Sequence, residues 1–120
     1  MPSSAPSSGW RAEMVKITVL YDQPKDVASF EKYYTETHVP KYGLKIPNVI
    51  KVDLNKAAGD SPPFYRTADL WFKDMATLQA ALGSPEGQAA VGDLDVFAKG
   101  GYKVLISETE TIEVAATARR

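Results

Sequence analysis

The stretch Val15-Lys16-Ile17-Thr18-Val19-Leu20-Tyr21 decides how the rest of the chain reads. It is rich in β-branched and aromatic residues, the composition of a strand. Val15, Ile17, Val19 and Tyr21 fall on one side, and Lys16, Thr18 and Leu20 on the other. The first side belongs to a core. The second mixes an ammonium, a hydroxyl and a leucine, so it is neither plainly buried nor plainly wet.

Downstream, Asp22, Gln23 and Pro24 break the strand. A helix is predicted over residues 26–39, with Asp26 as N-cap and Val27, Phe30, Tyr34 and His38 along one face. Pro40 ends it, because the residue before a proline is pushed out of the helical region. Residues 48–55 alternate as a second strand, with Ile50, Val52 and Leu54 opposite Lys51 and Asp53. Residues 56–63 form a loop around Gly59, Pro62 and Pro63. Residues 64–72 are a third strand. Asp74 opens a second helix through Met75, Leu78, Ala81 and Leu82, which Gly83 stops. Ser84 and Pro85 restart a helix carrying Ala89, Ala90, Leu94 and Phe97. Gly100 and Gly101 precede the last strand, residues 102–111. The order β-α-β-β-α-β is the ferredoxin-like split βαβ arrangement: an α+β domain whose four-stranded antiparallel sheet carries its helices on one face.

The other face of that sheet is the second clue. In the third strand Phe64, Ala68, Leu70 and Phe72 oppose Tyr65, Thr67, Asp69 and Trp71. In the last, Tyr102, Val104 and Ile106 oppose Lys103, Leu105 and Ser107. A face carrying Leu20, Tyr65, Trp71 and Leu105 is an apolar patch that soluble monomers tend to avoid. Pairing with an identical sheet about a two-fold axis covers it, so a homodimer is expected. The competing reading is a mixed surface left facing solvent.

At 120 residues the chain suits one domain. The opening MPSSAPSSGWRAE, residues 1–13, reads as a disordered extension, with the domain over 14–113 and a flexible tail over 114–120. A net charge of −1 offers no general pull on nucleic acid, and Arg119 and Arg120 are the sole adjacent basic pair near the end. Cysteine is absent, which removes disulfides, thiolate nucleophiles and cysteine-based metal sites. With one histidine per chain, a metal site built mainly from imidazole would need several chains to converge. No metal and no cofactor are expected. No apolar run is long enough to cross a bilayer and no secretory signal opens the chain, which makes a cytoplasmic location the expectation. Phosphate-loop, dinucleotide, zinc-protease and nucleophile-elbow motifs are missing. The Ser84 helix start has free N–H groups that an anion could meet, but it matches no phosphate loop.

His38 and Tyr34 are the first candidates for chemistry. They lie one turn apart on one helix face, so their side chains can meet. A histidine near neutral pKa serves as general acid or base, and the pair could bind or protonate a carbonyl or phenol oxygen. Alternatively His38 caps the helix and Tyr34 packs on Phe30. Asp69, mid-strand beside Thr67 and Trp71, is either a base or half of an ion pair with Lys16, Lys51 or Arg66. Tyr65, Trp71 and Tyr102 could wall a pocket for a small hydrophobic or aromatic ligand, or be dimer core.

Together MVKITVLY, FEKYYTETHVP, ADLWF, LQAALGSPEGQAA and DLDVFA, spread over residues 14–110, resemble the EthD family, proteins named for ethyl tert-butyl ether degradation within the dimeric α/β-barrel group. The resemblance implies a ferredoxin-like protomer, a homodimer and small hydrophobic or aromatic metabolites in catabolic or tailoring settings. It implies cofactor-independent proton transfer or oxygenation, with His38, Tyr34 and Asp69 as catalytic candidates. Tyr33, Tyr65, Thr67, Trp71, Leu20 and Leu105 are the substrate-binding candidates. A non-catalytic binding or accessory dimer is the alternative, favoured if the cavity is too small for a bicyclic ring. A haem-binding relative with His38 as axial ligand is a further one. The loop over residues 60–63 is the chain's own departure at the expected pocket mouth.

Overall fold

The computed structural model describes residues 11–112 and residue 114. Four strands, β1 (Arg11–Tyr21), β2 (Lys51–Lys56), β3 (Arg66–Phe72) and β4 (Tyr102–Thr111), form one sheet in the order β2-β3-β1-β4. All three pairings are antiparallel, as the ferredoxin-like arrangement requires. β1 begins at Arg11, ahead of the expected start at Met14, and pairs with the end of β4 through Arg11 and Thr111. The rest of the predicted extension, residues 1–10, and most of the predicted tail, residues 115–120, lie outside the described residues.

The helices pack where the alternation demanded. Val15, Ile17, Val19 and Tyr21 from β1 and Ala68, Leu70 and Phe72 from β3 are buried with Phe30, Tyr34, Leu78, Ala81 and Leu94 from the helices. Register explains it: Ile17 stands opposite Leu70 and Val19 opposite Ala68, so both strands turn the same apolar side to the helices. β2 adds Val52, opposite Leu70, to that side.

The helix layer comprises α1 (Val27–Tyr33), α2 (Val39–Lys41), α3 (Met75–Gly83) and α4 (Pro85–Phe97). Each N-cap read from the sequence makes its bond: Asp26 accepts from Ser29 N–H, Asp74 from Thr77 N–H and Ser84 from Gly87 N–H. The first helix departs from expectation. It does not end before Pro40. It widens into a π turn at Tyr34–His38 and continues through Pro40 to Lys41. Pro40 has no N–H for the Glu36 carbonyl, and its ring would crowd that carbonyl in a regular α-helix. The wider turn relieves the clash, and Val39 N–H bonds instead to the Tyr34 carbonyl five residues back.

Gly87 sits where α4 folds back on the end of α3. A Cβ there would collide with the Ala81 carbonyl oxygen and lie 3.0 Å from Leu82 Cα, both backbone atoms that cannot swing aside. Gly87→Ala is therefore expected to destabilise the fold by about 3 kcal/mol or more, read as a lower urea midpoint.

Candidate functional site: a histidine–aspartate pair beside an apolar cavity

The π turn fixes the direction of two side chains. Tyr34 and His38 both enter the space between helices and sheet, with ring centroids 6.2 Å apart and planes 16° from parallel. Tyr34 is fully buried and His38 nearly so. Phe97 of α4 closes behind them, its ring 4.6 Å from that of His38.

His38 is held by a partner that sequence reading did not single out. Asp93 of α4 is buried, and its Oδ2 lies 2.8 Å from His38 Nδ1. Its Oδ1 accepts a 2.8 Å hydrogen bond from the Tyr33 hydroxyl. A signal was present: Gly87, Ala90, Asp93 and Leu94 make up the buried stripe of α4, so an acid interrupts an apolar face. A buried carboxylate needs a donor, and the chain has one histidine to offer.

The electrostatics set the protonation states. Burial penalises the imidazolium more than Asp93 supports it, so the His38 pKa lies below its ordinary 6.5. Near neutral pH the ring is uncharged, with Nδ1–H donating to Asp93. Nε2 is then the nitrogen that carries a lone pair. The hydrogen bond to Asp93, aided by burial, pushes the Tyr33 phenol up to about 12. Burial does the same for Tyr34, also to about 12. Both tyrosines remain hydrogen-bond donors.

A cavity of about 70 Å³ lies between the sheet and the helices, lined by Tyr34 and His38 together with Ile17, Val19, Leu70 and Leu94. Leu44, Leu54, Val91 and Val104 also line it, and all four are exposed, which makes an apolar mouth. The Tyr34 hydroxyl is buried without a hydrogen-bond partner among the described residues. Arg66 stacks over the Tyr34 ring at 4.9 Å, but its guanidinium is committed to Glu31, through Nε at 2.8 Å and Nη2 at 2.9 Å. Those bonds hold the Glu31 carboxyl at about 2, well below its ordinary 4.5.

The remaining sequence candidates do not meet His38. Leu20, Thr67, Asp69, Trp71 and Leu105 occupy the opposite face of the sheet, set by the pairings Thr18–Asp69 and Leu20–Thr67 with Thr18 also opposite Leu105. None of them lines the cavity. Asp69 is bound into a local network: it accepts from Thr18 at 2.6 Å and Asn55 at 3.1 Å, with Lys16 Nζ at 3.4 Å. Trp71 lies between Lys16 and Lys51, donates to Asp53, and is half-buried within the protomer. That face is consequently a mixed surface with satisfied polar groups. Tyr65 was expected on it and is on the helix side instead, where it donates to Glu31 at 2.8 Å and packs edge-on against Phe30. The reason is local: β3 starts only at Arg66, so the alternation does not extend back to Tyr65. Tyr33 reaches His38 indirectly, through its hydrogen bond to Asp93 and its stacking on Phe97.

Among the described residues no three acidic or histidine side chains converge as a metal site, and no helix is long and apolar enough to cross a membrane.

Fold and site define a class: a ferredoxin-like α+β protein with an oriented histidine at an apolar cavity. The EthD domain family model matches residues 22–101. The chain belongs to that family. An uncharacterised 11.0 kDa protein of Rhodococcus erythropolis, from the thcB–thcC intergenic region, is 36% identical over 102 residues, covering 82% of this chain and 98% of the relative. The crystal structure of an EthD family protein from Bacillus halodurans matches with a TM-score of 0.76 at 31% identity, covering 80% of this chain and 98% of that one. SnoaB, a cofactor-independent oxygenase from Streptomyces nogalater, shares the fold at a TM-score of 0.58 and 14% identity, over 88% and 98% of the two chains. A dimeric protein of unknown function and ferredoxin-like fold from Bacteroides fragilis matches at a TM-score of 0.57 and 16% identity, over 80% and 96%.

Asp93→Ala strands the buried His38 Nδ1–H and removes the acceptor of the half-buried Tyr33 hydroxyl. It is expected to cost about 2–4 kcal/mol in urea unfolding, against about 1–2 kcal/mol for Tyr33→Phe, which removes one bond and leaves Asp93 Oδ1 without its donor while His38 still holds Oδ2.

Proposed function

We propose that this protein binds a small, mostly apolar metabolite between its helices and sheet and moves a proton on it without a cofactor, with His38 as acid and base. One observation carries the reading: the His38–Asp93 hydrogen bond at 2.8 Å, in a buried site that opens on an apolar cavity. Asp93 holds the imidazole in one tautomer and one orientation, and Tyr33 holds Asp93. His38 Nε2 is left to take a proton from a bound molecule and return it. Desolvation keeps Nε2 unprotonated at neutral pH, the state a base requires. The fold shared with a cofactor-independent oxygenase is compatible with catalysis, and fold analogy carries no more than that. Asp69, Thr67, Trp71, Leu20 and Leu105 have no part in this mechanism.

The cavity size favours the second reading, a non-catalytic binding or accessory protein. About 70 Å³ is too little for a bicyclic ring, and still less for a haem macrocycle. The oriented His38 is what favours chemistry on a smaller substrate. The protein acts as a homodimer in this reading, with the Trp71 face turned to its twin. Support comes from the dimeric relative and from the internal satisfaction of that face, since Asp53 and Asp69 already hold their donors and need little rearrangement on burial.

Incubation of the dimer with a bacterial metabolite extract in deuterated water tests the reading. The wild type is expected to place deuterium in a small apolar metabolite, and His38→Ala is not. Equal labelling by both proteins removes His38 from the mechanism. A sedimentation mass equal to one 13.1 kDa chain at micromolar concentration removes the dimer.

A further inference from the structure

Resting on that assignment of His38, we infer that the cavity takes an uncharged molecule of a few heavy atoms with a single acceptor oxygen beside a C–H bond: a small ketone or aldehyde. The Tyr34 hydroxyl holds the oxygen and His38 Nε2 faces the adjacent carbon.

The orphaned hydroxyl comes first. Tyr34 is 0% exposed, lines the cavity, and its Oη has no partner among the described residues. A buried hydroxyl left unpaired costs about 1–3 kcal/mol, a cost that an acceptor atom in the cavity would remove. Because burial pushes the phenol up to about 12, it can offer a proton but not a negative charge. The ligand must therefore supply an acceptor.

Charge narrows the class further. The cation over the Tyr34 ring, Arg66, is bound bidentately to Glu31. His38 is neutral at neutral pH because burial lowers its pKa. Asp93 is occupied by His38 and Tyr33. The other lining residues are aliphatic side chains, a glycine and Tyr21. A carboxylate entering here would lose its hydration and find no counter-charge, which is costly. A neutral oxygen compound loses little and gains one hydrogen bond. Size agrees: a cavity of about 70 Å³ has room for on the order of five water-sized groups.

The placement of the two rings then selects a carbonyl. Tyr34 and His38 stand side by side and nearly parallel, 6.2 Å between centroids. A ligand whose oxygen bonds to Tyr34 lays its next carbons along His38. His38 Nε2 takes the α-proton, and the C–H electron pair becomes a C=C bond. The carbonyl π pair moves onto the oxygen, where the Tyr34 hydrogen bond strengthens as negative charge grows. Returning the proton to carbon restores the ketone, and returning it to oxygen gives the enol. No electrons leave the substrate, so no oxidant or reductant is needed.

Three isosteres test the class: 3-methylbutan-2-one, isobutyrate (a methyl replaced by O⁻) and 2,3-dimethylbut-1-ene (the carbonyl oxygen replaced by CH₂). Binding is followed on the ring resonances of His38, the chain's sole histidine. The ketone is expected to bind at least about tenfold more tightly than isobutyrate. Tyr34→Phe is expected to weaken ketone binding about tenfold and leave alkene binding unchanged, which also shows that the variant keeps its cavity. Absence of ketone binding at millimolar concentration, isobutyrate binding as tightly as the ketone, or no effect of Tyr34→Phe each overturns the ligand class. Deuterium exchange at the ketone's α-position is measured in parallel. Tyr34-dependent binding without exchange supports the ligand class and instead overturns proton transfer by His38.

Discussion

The hydrogen bond between His38 and Asp93 is the contact on which the rest of the site depends. It joins the π turn at the end of α1 to the middle of α4, two segments distant in sequence. Both groups are buried, so neither tolerates loss of the other. The bond commits Nδ1 and leaves Nε2 as the free imidazole nitrogen, and Tyr33 supplies the carboxylate with its second donor. A buried carboxylate in an otherwise apolar helix stripe weakens that stripe as core. Its compensation is a histidine whose orientation and tautomer are set before any ligand arrives.

The sheet divides the molecule's chemistry. On the helix side, a cavity framed by Ile17, Val19, Leu70 and Leu94 is lined also by Tyr21, Tyr34 and His38. On the other side, Lys16, Lys51, Asp53, Asn55 and Asp69 bind one another and clamp Trp71. Period-two alternation enforces the separation. A residue on β1 or β3 serves one face or the other, and a one-residue change of register would exchange the two sets. The first face suits a small molecule, and the second suits a flat, preorganised contact.

The sequence carried the fold because every level of it agreed. Val15 to Tyr21 alternated cleanly, Asp26, Asp74 and Ser84 announced helix starts, and each made its capping bond. Pro40 misled at one point. A proline normally marks a helix end, but here the chain absorbed it by widening the preceding turn, a tertiary solution that local preference does not encode. Tyr34 and His38 were legible because helical spacing put them together. Asp93 was legible only in part: helical spacing places it on the face of Ala90 and Leu94, but its partner is remote in sequence and only the assembled helix layer brings the two together. Asp69 and Trp71 drew attention as polar and aromatic residues on an apparently apolar face. That face proved to be locally satisfied once lysine side chains folded over the indole. Tyr65 shows the limit of alternation, which holds inside a strand and fails one residue before it begins.

Nitrogen-15 NMR of His38 across a pH titration tests the central claim most directly, because the chain contains no other histidine. The account predicts a neutral ring at pH 7 (about one half-unit above the ordinary histidine value), with its proton on Nδ1, bare Nε2, and a midpoint below 6.5. An imidazolium at neutral pH, or a neutral ring protonated on Nε2, would leave no lone pair on Nε2 and contradict it.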